Sequence, residues 1–589
     1  MATETQPEKY EEWPNAKGAQ PQFEQKDPIK LKVTGHIPSY AIGTLLRTGP
    51  GAHEIETEKG LFKLSHWFDG LSMVHKFKIE NDSDQVKVSY SSRFIVDQLI
   101  ETIRKTGSTE GFTFGQKQDP CQSYFKKLMS VFTAAPPSST QGGREGSNIG
   151  VTISANMPGF GPFGPDQAET SKNHASGIST LVTKTDRNAY QHLNPETLEP
   201  AGVAIQTSLH PELIGQLSSA HAKSDPDTGD IFNYNLELSS DPTYRIFRVS
   251  ATTGKTDILA KFKATPAYIH SLFLTQNYVV LCVWNSHLSA RGASILWNKN
   301  VLDSISPLNP RYPAKWYIVD RKHGRGLVSV YDTPAFYAFH ATNAWEEPSK
   351  TNPGQTDIIA EIPAFDSIDV LKRFYYENLI SSEPGALKYA GKAGNIARPK
   401  YRRYRLPDIP QPALQNGHAN GHTRSKSILP SSSSPKTLKG RVVFEVPFTA
   451  SMELPTINPK YLARPHRYIY GICDRGISPS FVDGLVKLDT YAYTHPSAAD
   501  AADAKPLYWS QYAHSPGEAI FIADPEGTAE DDGVLLSVVL DGIKGYSYLL
   551  VLDAKTMTEV GRAELGEGRC VGFGFHGTHV RPAGRTLDV

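Results

Sequence analysis

Cysteine is scarce in this chain: four in 589 residues, Cys121, Cys282, Cys473 and Cys570, far apart and without a CxxC pair. That argues against a disulfide-stapled scaffold and a thiolate zinc site, and it points to a reducing compartment. Net charge is absent too, 61 Lys and Arg balancing 61 Asp and Glu, so the overall field favours neither nucleic acid nor an anionic membrane as partner. Long hydrophobic runs are missing. The longest, such as YVVLCVW at 278–284, reach strand length and fall short of the ~20 residues that cross a bilayer as a helix. No transmembrane segment is expected. The opening MATETQPEKYEEWPNAKG carries acids and no apolar segment, unlike a secretory signal or a transit peptide, and a cytoplasmic location is expected.

Helical periodicity is also scarce, and strand takes its place. IFNYNLEL, YRIFRVS, YVVLCVW, KWYIVD, GLVSVYD, YIYGIC, LVKLD, AIFIAD, GVLLSVVLD and SYLLVLDA recur between Gly, Pro, Asp and Asn turns. Their length and spacing read as hairpin-connected antiparallel strands. An all-β chain with so many short strands suits a closed architecture without exposed edges, and a β-propeller of several four-stranded blades has the right size. No strict repeat signature marks the blades. Residues 1–28 read as an N-terminal tail and 29–589 as a single β-propeller domain. Two Ser, Pro and Gly-rich stretches within it, 134–147 and 413–440, are too poor in apolar residues to offset chain entropy and read as mobile insertions.

Nineteen histidines are present, so context has to select among them. His418 and His422 lie four apart but inside the second polar stretch, and read as a solvated loop. His221 (LSSAHAKSDP), His270 (AYIHSLFL), His340 (FYAFHATNAWEE) and His576 (VGFGFHGTHV) instead sit beside small or apolar residues next to strand-like runs. Their wide separation is what different blades would produce if each sent one ligand to a central axis. Four neutral imidazoles suit a borderline divalent metal such as Fe(II), with positions left for O2 or water. Metal-bound histidines usually give their other N–H to a carboxylate or carbonyl, and Glu453 (SMELPTINPKY) and Glu518 (HSPGEAIFIADP) stand where they could accept it.

These motifs, together with IGTLLRTGPG (42–51), HWFDGLSMVHKF (66–77), DPC (119–121), LNPETLEP (193–200) and EDDGVLLSVVLD (530–541), carry a resemblance that runs nearly end to end. The chain resembles the carotenoid cleavage oxygenases, non-haem iron dioxygenases that split a carbon–carbon double bond next to a conjugated system. The resemblance implies a seven-bladed β-propeller with a helical and loop cap, and Fe(II) on its axis held by His221, His270, His340 and His576. It implies that small Gly577 lets the chain pass close to the metal, while His579 is structural. Of the three glutamates that usually hold the histidines, Glu453 and Glu518 match two. The third position is Asp186 in VTKTDRNAY, one methylene shorter.

Within the family, HWFDGLSMVHKF, AHAKSDP and HATNAWEE are most similar to the fungal branch that cleaves stilbenes such as resveratrol and piceatannol. That implies O2 and a 4-hydroxystilbene as reactants, cut at the central C=C to two aromatic aldehydes. A lysine and a tyrosine would bind the phenol and favour its phenolate. Lys184, two residues before Asp186 and so expected on the same side of a strand, and Tyr124 in DPCQSYFKKLMSVF are the candidates. Thr152 in NIGVTIS matches a small polar residue near the open iron position. The alternative substrate is a carotenoid or apocarotenal. SYFKKLMSVF (123–132) has the mixed basic and apolar character of a membrane entry patch, although a packed cap helix fits it equally well, and peripheral membrane contact is not expected. A propeller that only binds partners is the other class, and retention of all four histidines argues against it.

Overall fold

The computed structural model describes residues 9–82, 85–109, 111–117, 147–161, 177–410, 437–498, 504–582 and 588. In them every quoted strand-like run forms a strand. The strands assemble into seven sheets of four to six strands each, with one further two-stranded hairpin, Glu54–Thr57 against Gly60–Lys63. The chain is a seven-bladed β-propeller. Its ring closes twice over. Lys32–Gly35 adds the outer strand to the blade built from residues 514–564, and Gly577–Val580 pairs with Gly43–Ala52 in the blade beside it. Both joints bury strand edges that would otherwise be open.

The blades stack face to face, so a middle strand is covered on both sides and loses the in–out alternation of a half-buried strand. Tyr278–Val283 is buried at all six positions, and Gly533–Asp541 at all nine. That is why these segments read as continuous apolar runs. Leu281, Trp284, Trp316 and Tyr331 are fully buried in one interblade cluster. Leu281→Ala is accordingly expected to lower unfolding stability by about 2–5 kcal/mol, lost transfer energy plus a cavity that stacked sheets cannot collapse. Denaturant unfolding measures it, and a loss below ~1 kcal/mol would mean looser interblade packing than the burial indicates.

Helices are few and short. Asp97–Thr106, Ser294–Asn298, Asp369–Arg373 and Tyr376–Leu379, with 3-10 turns at Pro384–Tyr389 and Gly391–Ala397, interrupt the strand pattern. Several of them cap the axis, where Val370, Arg373 and Ala397 line a cavity. Among the described residues no helix is long and apolar enough to cross a membrane.

Two boundaries drawn from composition shift. The stretch before residue 29 is no loose tail where it is described. Trp13 is buried and donates its indole N–H to Ser515 Oγ at 3.1 Å, and Asn15 donates to the Leu379 carbonyl at 3.2 Å. An indole is a large apolar payload, which a count of acids overlooks. Within 413–440, Thr437–Lys439 is a short strand running parallel to Leu327–Thr333, so the chain re-enters a blade before residue 440. Residues 134–146 and 413–436, with His418 and His422, lie outside the described residues.

Candidate metal centre

Four blades each bring one histidine to the axis. His221 sits between the short strands Leu217–Ser218 and Lys223–Ser224, His270 shortly before Phe273–Leu274, His340 shortly before Asn343–Pro348, and His576 directly before Gly577–Val580. Their ligand atoms all lie within 4.8 Å of one another. His221 Nε2 is 2.9 Å and His340 Nε2 3.2 Å from His576 Nε2. Two nitrogens bound side by side to one ion, at the roughly 2.1 Å usual for zinc–histidine bonds, are about 3 Å apart. The spacing fits a shared ion. Burial holds His221 and His340 well below the ordinary histidine range and lowers His576. These three imidazoles are therefore held neutral, as metal ligation requires.

The remaining three blades supply the carboxylates. Asp186 lies in the turn after Leu181–Lys184, Glu453 opens the strand Glu453–Thr456, and Glu518 precedes Ile520–Ala523. Each accepts a hydrogen bond from the Nδ1–H of one histidine: Asp186 Oδ2 from His270 at 2.7 Å, Glu453 Oε2 from His340 at 2.6 Å, and Glu518 Oε1 from His576 at 2.8 Å. With the proton fixed on Nδ1, each Nε2 presents its lone pair to the axis. The shorter side chain of Asp186 reaches its histidine without a bridging water. Burial pushes the Glu453 carboxyl up to about 8, and a cation held by the histidines would draw it back down.

Sequence reasoning missed three supporting residues. Tyr268 donates its hydroxyl to Asp186 Oδ2 at 2.7 Å, while Ala220 N–H reaches Oδ1 at 3.0 Å. Burial raises the Tyr268 phenol well above its ordinary range and keeps it protonated. Its position two residues before His270, on the same side of an extended segment, was the available signal. Arg47, from the LLRTGP motif, is buried and donates to the Glu518 backbone carbonyl at 2.9 Å. It also explains Gly577. A Cβ there would meet the Leu46 carbonyl oxygen at 2.9 Å and Arg47 Cγ at 3.0 Å, so the glycine makes room for the neighbouring strand rather than for the metal. His579 hydrogen-bonds the Ala41 carbonyl at 3.0 Å, a structural contact.

Two cavities meet the centre. One takes in His270, His340 and His576 with a largely aromatic wall that includes Trp67, Phe68, Phe114, Phe339, Phe374 and Phe575. The rings are in mutual contact, Trp67 with Phe575 at 4.9 Å between centroids and Phe68 with Phe374 at 5.5 Å. The other takes in His221, His340 and His576 with a more polar wall. Thr152 belongs to this second cavity, its hydroxyl donating to the Ala220 carbonyl at 2.7 Å. Lys184 lines it too, whereas Asp186 lines the aromatic cavity. The expected shared side fails because the strand ends at Lys184 and the chain turns before Asp186. Lys184 is buried and paired with Asp588, Nζ to Oδ1 2.7 Å. Tyr124 and the whole of 123–132 lie outside the described residues.

Residues 18–581 match the family model described as retinal pigment epithelial membrane protein. A carotenoid dioxygenase of Neurospora crassa is 40% identical, the alignment covering 98% of this chain and 93% of that protein. A torulene dioxygenase of Gibberella fujikuroi is 37% identical over 98% of this chain and 95% of its own length. Among solved structures, a variant of the Synechocystis apocarotenoid oxygenase superposes with a TM-score of 0.65 at 20% identity, covering 96% of this chain and 99% of that one. A cobalt-substituted form of the Synechocystis enzyme gives 0.64 at 19% identity, with 96% and 99% covered.

Proposed function

The chain belongs to the retinal pigment epithelial membrane protein family, the carotenoid cleavage oxygenases, and is an oxidoreductase of the carotenoid cleavage dioxygenase type; from that premise we propose that it holds Fe(II) at its four histidines and cleaves one double bond of a carotenoid or apocarotenoid polyene. One O2 is consumed, one C=C breaks, and each cleaved carbon leaves as a carbonyl. The observation that carries the substrate class is the aromatic cavity that meets three of the four histidines. A polyene offers almost no hydrogen-bonding groups, so it is recognised by apolar contact and shape, and stacked rings supply both while excluding water.

Iron bound at the centre would supply the activation of O2. The chain's own residues set its surroundings. His221, His270, His340 and His576 would hold it, and Asp186, Glu453 and Glu518 fix three imidazole rings in the tautomer that points Nε2 inward. Thr152, beside His221 in the polar cavity, stands where it limits what approaches that side. The 4-hydroxystilbene is less well supported than a polyene. Its phenol-binding lysine is paired with Asp588 outside the aromatic cavity, and the similar fungal proteins carry the names carotenoid dioxygenase and torulene dioxygenase. A cytoplasmic location remains part of the proposal, supported by the free, buried thiols of Cys282, Cys473 and Cys570.

Incubating the Fe(II)-loaded protein in air with torulene, with β-apo-8′-carotenal and separately with resveratrol tests the assignment. Shortened apocarotenals from one or both of the polyenes, identified by chromatography and mass, are expected. Hydroxybenzaldehydes from resveratrol, with the polyenes untouched, would overturn the substrate class and leave fold and metal centre standing.

A further inference from the structure

Lys184 and Asp588 have no part in the chemistry above, yet both are buried in the polar cavity that meets His221, His340 and His576. Their side chains are 2% and 8% exposed, with Nζ 2.7 Å from Oδ1. Ser154 donates its hydroxyl to the same Oδ1. The Asp588 backbone is clamped by Ser224 in both directions, Ser224 N–H to the Asp588 carbonyl and Asp588 N–H to Ser224 Oγ, each 2.8 Å. Lys223, with its ammonium on the Ala341 carbonyl at 3.1 Å, lines a smaller cavity together with Asp588 and adds a second cation there. Lys184 ends a strand of one blade, and Ser224 follows His221 in the next. The ion pair therefore ties two neighbouring blades together beside the segment that delivers a ligand.

We propose that the Lys184–Asp588 pair is a polar plug that restricts access of water-borne ligands to the metal centre from the His221 side. The inference rests on the four-histidine centre and is independent of which polyene is cleaved. An aqueous solute moving through the polar cavity toward the histidines passes a carboxylate fixed by an ammonium, a hydroxyl and two backbone hydrogen bonds. Separating the pair leaves two buried charges uncompensated, which is strongly unfavourable, so the closed state prevails. The aromatic cavity is left as the working entrance, matched to an apolar substrate, while chelators and free water are kept from the other face.

The test is the rate at which full-length protein loaded with Co(II) gives up its metal to excess EDTA, followed by visible absorption. Asp588→Ala is expected to release the ion roughly tenfold faster or more, because the change acts on the exit path. Asp588→Glu, which restores the carboxylate, is expected to bring the rate back toward that of the unaltered protein. Release from Asp588→Ala at the unaltered rate overturns the plug. So does faster release matched by an equal rise in global unfolding rate, read from tryptophan fluorescence in the same buffer. If Asp588→Ala does not fold, Asp588→Asn, similar in volume and able to keep the Ser224 contacts, takes its place, and an unchanged rate there is equally decisive. A protein that takes up no cobalt at the loading step overturns the metal centre and the plug with it.

Discussion

His270→Ala is expected to take the metal content of the purified protein from about one ion per chain to nearly none, and to lower the cleavage rate about a thousandfold or more, since ligands of one centre act as a unit. The reason lies in the donor set. An ion at this centre would be held by imidazoles alone, so none of its charge would be met by a directly bound carboxylate, and losing one donor would remove a large part of the binding energy. The loss spreads behind the ring, because Asp186 then faces a void where the Nδ1–H stood at 2.7 Å. His579→Ala is the control. It lies three residues from His576 but bonds only the Ala41 carbonyl among the described contacts, and its metal content is expected to stay near that of the unaltered protein. Metal analysis with product chromatography reads both. A His270→Ala protein that keeps stoichiometric metal would show that these four side chains are not the ligand set.

Much of this centre could be read in the chain because each ligand lies within a short local motif that resembles the family's: AHAKSDP, YIHSLF, FHATNAWEE and GFHG. The strands could be read for a related reason, since a blade covered on both faces writes continuous apolar runs such as YVVLCV. The division of labour among blades could not. Four blades give histidines and the other three give carboxylates, but with no repeat signature the blade to which Asp186 or Glu518 belongs is invisible before the sheets are paired. The proposed substrate class, a polyene in place of the expected 4-hydroxystilbene, was hidden for a similar reason. The aromatic wall is assembled from Trp67, Phe114, Phe339, Phe374 and Phe575, scattered over the chain and partly carried by cap segments, and no single motif contains it. Lys184 and Asp186 line different cavities because the two-residue period of the strand stops at Lys184 and does not continue to Asp186.

Asp186 is the position where the chain departs from the usual glutamate, and it leads to the second large expected effect. Its two oxygens accept from His270 Nδ1–H, Tyr268 O–H and Ala220 N–H, so one carboxylate orients the ligand of one blade and the backbone just before His221 in another. Asp186→Ala is expected to weaken metal affinity about 10- to 100-fold, the usual consequence of losing such a partner. It is also expected to lower stability by roughly 1–3 kcal/mol for each buried donor left without an acceptor. Asp186→Asn separates the two effects. An amide fills the same space, and its oxygen at the Oδ1 position still accepts from Ala220 N–H while its NH2 takes the Oδ2 position between His270 and the Tyr268 hydroxyl, which preserves much of the stability. Its NH2, however, faces His270 Nδ1 and favours the tautomer in which Nδ1 is the acceptor and Nε2 carries the proton. A protonated Nε2 has no lone pair to give the ion. The asparagine variant is therefore expected to melt close to the unaltered protein yet bind metal nearly as weakly as the alanine variant, when affinity is measured by competition with a chelator. Equal metal affinity in Asp186→Asn and the unaltered protein would show that His270 takes its orientation from packing and not from the carboxylate.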